Sequence, residues 1–162
     1  MVSVGAVPVT ISLATAADAE ELTAALERLV PQLSRSNPPP SLQQVAEMLA
    51  SPAISQFVAR ADDGTIVGVS TLAVFRIPTG LRAWIEDVIT DEAARGQGVG
   101  EALTLAMCDR ARELGCVTVD LTSRPSREAA NRLYQRVGFR QRETNVYRYQ
   151  LSSDEPRNTG AR

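Results

Sequence analysis

The sequence predicts an α/β (α+β) fold, a mixed, twisted central sheet flanked by helices on both faces. Three observations predict it. Strand-like and helix-like periodicities alternate in the order β-α-α-β-β-β-α-β-α-β. Two of the loops between strand-like runs, "DDG" and "PTG", have hairpin chemistry, which makes the middle of the sheet antiparallel. Strand–helix–strand crossovers on either side of Cys116 then bring in parallel neighbours. At 162 residues the chain fits one domain with a proper core. Residues 1–151 read as that domain, and the polar run "SSDEPRNTGAR", 152–162, reads as a disordered tail.

Each element has its own reason. "VTISLA" is a short strand. In "DAEELTAALERLV" Asp18 is the expected N-cap with Glu21 three residues on, and Leu22, Leu26, Leu29 and Val30 make one apolar face stopped by Pro31. "SRSNPPP" is a stiff loop, because consecutive prolines cannot continue a helix. Ser41 with Gln44 opens a second helix, "SLQQVAEMLA", closed near Pro52. "ISQFVAR", "TIVGVSTLAVFR" and "RAWIEDVIT" are strands. Val99, Leu103, Ala106, Met107 and Leu114 mark one face of a third helix, with Gly115 as its C-terminal cap. "CVTVDLTS" is a strand, "SREAANRLYQRV" a helix capped by Gly138, and "FRQRETNVYRYQL" returns to strand.

Composition narrows the chemistry. A formal charge of -2 offers nothing to nucleic acid or an anionic membrane. The two cysteines, Cys108 and Cys116, form no disulfide framework and no metal-ligand spacing; they read as small core residues in a reducing, cytoplasmic compartment. There is no histidine, which removes histidine-based triads and histidine-ligated metals, so no metal is expected. The N-terminal run has no basic segment ahead of an apolar one, and no stretch is long enough to span a bilayer.

The stretch "DEAARGQGVGEALTLA" is the feature that stability alone does not account for. Three glycines in five residues are a costly way to begin a helix. A helix N-terminus presents unpaired N–H groups and partial positive charge, and removing side chains at alternate positions lets phosphate oxygens reach them; Arg95 adds charge. A plain connecting turn is the other reading. A Walker loop needs Gly-Lys-Ser/Thr where this chain has Gly-Val-Gly-Glu. A dinucleotide-binding turn needs its glycines directly after the strand; here "DEAAR" intervenes, although Asp120 ends the next strand about where a ribose-binding acid would sit.

Arg95-Gly96-Gln97-Gly98-Val99-Gly100 resembles the R/Q-x-x-G-x-G/A acyl-CoA signature of the GNAT family of N-acetyltransferases. The resemblance extends over most of the chain: "WIEDVIT" is similar to the family's fourth strand, "CVTVDLTS" to its fifth, and "NRLYQRVGF" to its tyrosine-bearing last helix. It implies the GNAT (acyl-CoA N-acyltransferase) fold, with strands four and five splayed, often at a β-bulge, to admit the pantetheine arm of acetyl-CoA. That arm would pair with the backbone of Val88, Ile89 and Thr90, as an added strand does. The pyrophosphate would lie on the amides of Gly96, Gln97, Gly98, Val99, Gly100 and Glu101, beside Arg95. Asn131 and Tyr134, three apart on one helix, fit the positions lining the pantetheine and thioester end.

Acetyl transfer to an amine sets three demands. An ammonium with a pKa near ~10 must lose a proton, and Glu86, directly or through water, is the candidate base. Alternation along the strand sends Glu86 and Asp87 to opposite faces, so at most one of them faces the acceptor amine. The oxyanion needs a donor, for which an amide near Ile89 serves. The departing thiolate needs a proton, a role the resemblance assigns to Tyr134; on the residues alone Tyr134 packs with Ala130, Leu133 and Val137. The expected activity is acetyl transfer from acetyl-CoA to a primary amine of a small molecule or a protein, with a homodimer as the family's common assembly. A CoA-binding regulatory domain without turnover and a nucleotide-dependent oxidoreductase are the alternatives.

Overall fold

The computed structural model describes residues 9–151; the expected disordered tail at 152–162 lies outside them. Five strands form one sheet in the order β1-β2-β3-β4-β5: Thr10–Leu13, Ile54–Arg60, Ile66–Ile77, Gly80–Thr90 and Thr118–Asp120. The pairs β1–β2, β2–β3 and β3–β4 are antiparallel, and β4–β5 is parallel. Four helices join them: α1 Ala19–Leu33, α2 Leu42–Ala50, α3 Val99–Glu113 and α4 Glu128–Val137. The sheet is mixed, as expected. With one parallel pair it lacks the doubly wound architecture that a dinucleotide-binding oxidoreductase requires, and that alternative falls here.

The helices bury one stripe each on opposite sheet faces. Leu22, Leu26 and Leu29 of α1 and Val45 of α2 pack with Val58, Val69 and Ile89. On the other side Val99, Leu103 and Met107 of α3 pack with Phe57, Leu72, Ala83 and Ile85. Each such fully buried large side chain is worth about 1.5–3 kcal/mol relative to exposure. Gly68 on β3 makes the second packing fit, because a Cβ there would stand 2.8 Å from Val99 Cγ1 and 3.1 Å from the Ile89 carbonyl. The first turn of α3 therefore sits directly on the sheet. Leu114, expected on the buried face, lies past the helix end and is exposed.

Four boundaries differ from expectation. The capping box begins at Thr15 rather than at Asp18: the Thr15 amide and hydroxyl both donate to the Asp18 carboxylate, at 2.7 and 2.8 Å. A short 3-10 turn, Ala16–Asp18, precedes α1. Pro31 does not stop α1, which runs to Leu33. Its missing N–H orphans only the Glu27 carbonyl, and both residues are exposed, so water can take that acceptor. The strand expected over 116–123 shrinks to three residues in β5, and the expected last strand over 139–151 does not form. A three-residue edge offers little to pair with, and Arg140, Arg142 and Glu143 would have to be laid along it between Phe139 and the next apolar residue, Val146.

Candidate active site

The β4–β5 ladder ends where the chain chemistry changes. The last paired residues are Trp84 and Asp120, while β4 continues to Thr90 with no β5 partner. Residues 85–90 of β4 are thus left without a strand partner on that edge. On its other edge β4 carries a bulge against β3: Glu86 pairs with Thr71 and Ile89 with Val69, so that Asp87 and Val88 together face Ser70. Asp87 takes the strain, with φ of 50°. Beyond the bulge the facing of the strand is reversed. Ile85 belongs to the α3-side core and Ile89, four residues on, to the α1-side core.

This overturns the simple alternation expected for Glu86 and Asp87. Directly paired residues share a face, so Glu86 lies on the face of Thr71, whose side chain lines a cavity of about 470 Å³ between α1, α2 and the sheet. Asp87 lines the same cavity. The pairing puts Glu86 on the same side of the sheet, although it is not among the cavity walls. The Glu86 carboxylate accepts a 2.8 Å hydrogen bond from Trp84 Nε1, which orients it.

The glycine turn joins the open end of β4 to α3. Gly96 and Gly98 adopt φ of 77° and 82°, and a Cβ at either would meet nothing within 4 Å. Left-handed backbone is why glycine stands there, and the space above it is free for a ligand. Gly98 is the N-cap of α3 and no side chain caps it. The first intrahelical bond runs from the Ala102 amide to the Gly98 carbonyl at 2.9 Å, so the amides of 98–101 have no partner within the helix. Val99 is buried, which anchors this turn to the core. Gly100 differs from its neighbours: its φ is helical, and a Cβ there would stand 3.3 Å from Leu133 Cδ1 of α4 and 3.5 Å from Thr90 Oγ1. It is a packing glycine between β4, α3 and α4. Gln97 Nε2 donates to the Ala93 carbonyl at 3.2 Å, and Arg95 forms an exposed 3.4 Å pair with Glu92.

Helix α4 closes onto α3 through Arg136, whose Nε and Nη2 donate to Glu101 Oε2 at 3.0 and 2.6 Å. Tyr134 stands one residue beyond Leu133, half-buried, edge-on to Phe139 at 6.0 Å between ring centroids. Burial pushes its phenol above the usual value, and the Arg127 charge offsets part of this. It stays protonated throughout the neutral range. Asn131 Nδ2 donates to the Arg124 carbonyl at 3.0 Å, tying the loop after β5 to α4. Asn131 and Tyr134 line a cleft of about 1280 Å³ that runs along β5, whereas Glu86, Val88, Thr90 and residues 95–101 lie outside its walls. Burial also raises both thiols, Cys108 and Cys116.

One cluster at the site escaped prediction. Arg28 of α1 forms an ion pair with Asp91 and donates from Nη2 to the Ile66 carbonyl at 2.7 Å. Gln32, one turn on, accepts from the Glu92 amide at 2.9 Å. Together they latch α1 to the start of the glycine turn. The only sequence signal was the polar pair Arg28 and Gln32, four apart on one face of α1. Among the described residues no group of three or more histidine, cysteine or acidic side chains is placed to hold a metal, and no helix is long and apolar enough to cross a membrane.

A family model described as "Acetyltransferase (GNAT) family" matches residues 22–139, well over half of the chain. Glucosamine 6-phosphate N-acetyltransferase of Trypanosoma brucei brucei is 39% identical over 83 residues, 49% of this chain and 54% of that protein. The chain spans about half the length of this curated relative. A solved acetyltransferase from Trypanosoma brucei matches with a TM-score of 0.72 at 26% identity, over 88% of this chain and 100% of that one. A solved protein of Bacillus halodurans C-125, named a transcriptional regulator, matches with a TM-score of 0.72 at 30% identity, over 88% and 100%.

Proposed function

The chain belongs to the acetyltransferase (GNAT) family, and from that premise we propose that it moves the acetyl group of acetyl-CoA to a primary amine by direct transfer. The observation that carries this is the uncapped, glycine-lined N-terminus of α3 following the end of β4 that has no β5 partner. A diphosphate on the amides of 98–101 would meet both unpaired N–H groups and the positive end of the helix dipole. The space above Gly96 and Gly98 supports that fit. The backbone of Val88, Ile89 and Thr90, freed from β5, is the edge the pantetheine arm would pair with.

On this reading Glu86, directly or through water, takes the proton of the acceptor ammonium. The free amine attacks the thioester carbonyl, forming the N–C bond, while an amide near Ile89 stabilises the oxyanion. The tetrahedral adduct gives up its second amine proton to water and collapses with cleavage of the C–S bond; Tyr134 gives its proton to the leaving sulfur and regains one from solvent. Burial keeps the phenol in the protonated form this role needs. Arg95 and Gln97 flank the diphosphate, Glu101 holds α4 through Arg136, and Asn131 orients the loop at the thioester end. The reading puts the protein in the cytoplasm as a homodimer; the exposed Val146, Tyr147, Tyr149 and Leu151 support a partner surface.

Thiol release from acetyl-CoA over an amine panel tests the reading. Amine-dependent release is the expected result; acetyl-CoA binding with no release to any amine favours instead a CoA-binding regulatory domain, the reading that the Bacillus halodurans relative's name suggests.

A further inference from the structure

The cavity between α1, α2 and β4 says which amine. Its walls are Leu26, Val30 and Leu33 of α1, Met48 of α2, and Val69 and Ile89 of the sheet, closed on the loop side by the three prolines 38–40. That loop is stiff by composition, so the volume of about 470 Å³ is preformed and of the size of a small-molecule site.

The polar groups of its floor are almost all acceptors. Gln56 is 4% exposed and its amide is spent: Nε2 donates to the Ser70 carbonyl at 3.1 Å and the Phe57 carbonyl at 3.3 Å. Its Oε1 takes the Thr71 hydroxyl proton at 2.8 Å. Thr71 is thereby left with only lone pairs to offer. Asp87, which lines the cavity at the bulge, is its one acidic residue. The remaining polar walls, Ser34, Asn37 and Gln44, are neutral and can donate as well as accept. Among the described residues no arginine lines the cavity. Arg28, the basic residue of α1, is committed to Asp91 and the Ile66 carbonyl, and Arg35 is exposed and outside the wall.

From this we infer that the acceptor is a primary ammonium on an apolar body carrying no anionic group, bound with its nitrogen toward Asp87 and its body against Leu26, Val30, Leu33 and Met48. The inference rests on the acetyl-transfer reading above and narrows it. It separates the chain from the substrate in its curated relative's name. A phosphate in this cavity would stand beside a carboxylate and, among the described residues, would meet no cationic wall, and like charges at close range repel.

The test is thiol release by the full chain at saturating acetyl-CoA with four probes: phenethylamine, phenylalanine, glucosamine and glucosamine 6-phosphate. Phenethylamine is expected to exceed phenylalanine and glucosamine 6-phosphate in kcat/KM by at least ~10-fold, the size of one unfavourable charge contact. Equal or better turnover of glucosamine 6-phosphate overturns the inference while leaving acetyl transfer intact. Acetyl-CoA thermal stabilisation with no release from phenethylamine overturns it too, and loss of that stabilisation as well brings down the transfer reading itself. Asp87→Asn is the companion variant, since asparagine tolerates the left-handed backbone. It is expected to collapse the phenethylamine-to-phenylalanine ratio toward one with the acetyl-CoA thermal shift unchanged. A ratio that survives the substitution contradicts the role of Asp87.

Discussion

Gly98→Ala and Gly100→Ala, two residues apart, should act in opposite directions on stability. At Gly98 the backbone φ is 82° and nothing stands within 4 Å, so the cost is pure backbone strain. Left-handed alanine costs about 1–2 kcal/mol. At 2–4 °C per kcal/mol for a domain of this size, the melting temperature should fall by about 2–8 °C. At Gly100 the backbone is helical, and alanine gains up to about 0.8–1 kcal/mol of helix propensity. Leu133 Cδ1, 3.3 Å away, is the flexible end of a side chain and can yield a few tenths of an ångström. That variant should melt as the wild type does or up to about 4 °C higher. Acetyl-CoA affinity separates the two again. Each charge-assisted bond to an amide of the turn is worth about 1.5–3 kcal/mol, so a methyl at Gly98 that displaces one weakens binding roughly 10- to 100-fold, while Gly100→Ala keeps near-normal affinity. Differential scanning fluorimetry and calorimetric titration read both effects. Wild-type stability of Gly98→Ala would refute the strain argument, and a destabilised variant that still binds acetyl-CoA normally would reduce the turn to a connector.

Other expectations come from the same geometry. Tyr134→Phe should lower kcat by roughly 100- to 10,000-fold, the range for loss of one general acid, with little change in KM; an unchanged kcat removes Tyr134 from the chemistry. Arg28→Met should raise the KM for acetyl-CoA several-fold by releasing the glycine turn from α1, and a variant that loses only acceptor affinity would contradict the latch. Stability should decline in alkali. The folded pKa values of Tyr134 and Cys108 are raised by burial, so their contribution is complete below the unfolded values, near ~10 and ~8.5, and is lost as pH rises through the folded ones. Tyr134→Phe should flatten the upper part of that decline, and melting curves from pH 7 to 11 check it.

Local patterns carried much of this architecture. The stripe Leu22, Leu26, Leu29 and the stripe Val99, Leu103, Met107 are periodic in sequence and buried in the fold, and the Ser41–Gln44 capping box forms as written. What periodicity did not carry depends on partners distant in the chain. The bulge at Asp87 exists because β3 and β4 fall out of step at Ser70, so the facing of Glu86 and Ile89 could not be read from β4 alone. Arg28 meets Asp91 only after α1 crosses the sheet. Strand propensity in 139–151 had nothing to pair with, because β5 is too short to extend the sheet. Pro31 was read by a rule for helix interiors in a last turn where the lost bond is exposed.

The most direct measurement is the crystal structure of the protein soaked with acetyl-CoA. Diphosphate oxygens are expected within hydrogen-bond distance of the amides of Gly98, Val99 and Gly100, with the arm along Val88–Thr90 and the sulfur beside the Tyr134 hydroxyl. A diphosphate bound elsewhere, or a sulfur outside reach of Tyr134, would contradict the proposed transfer.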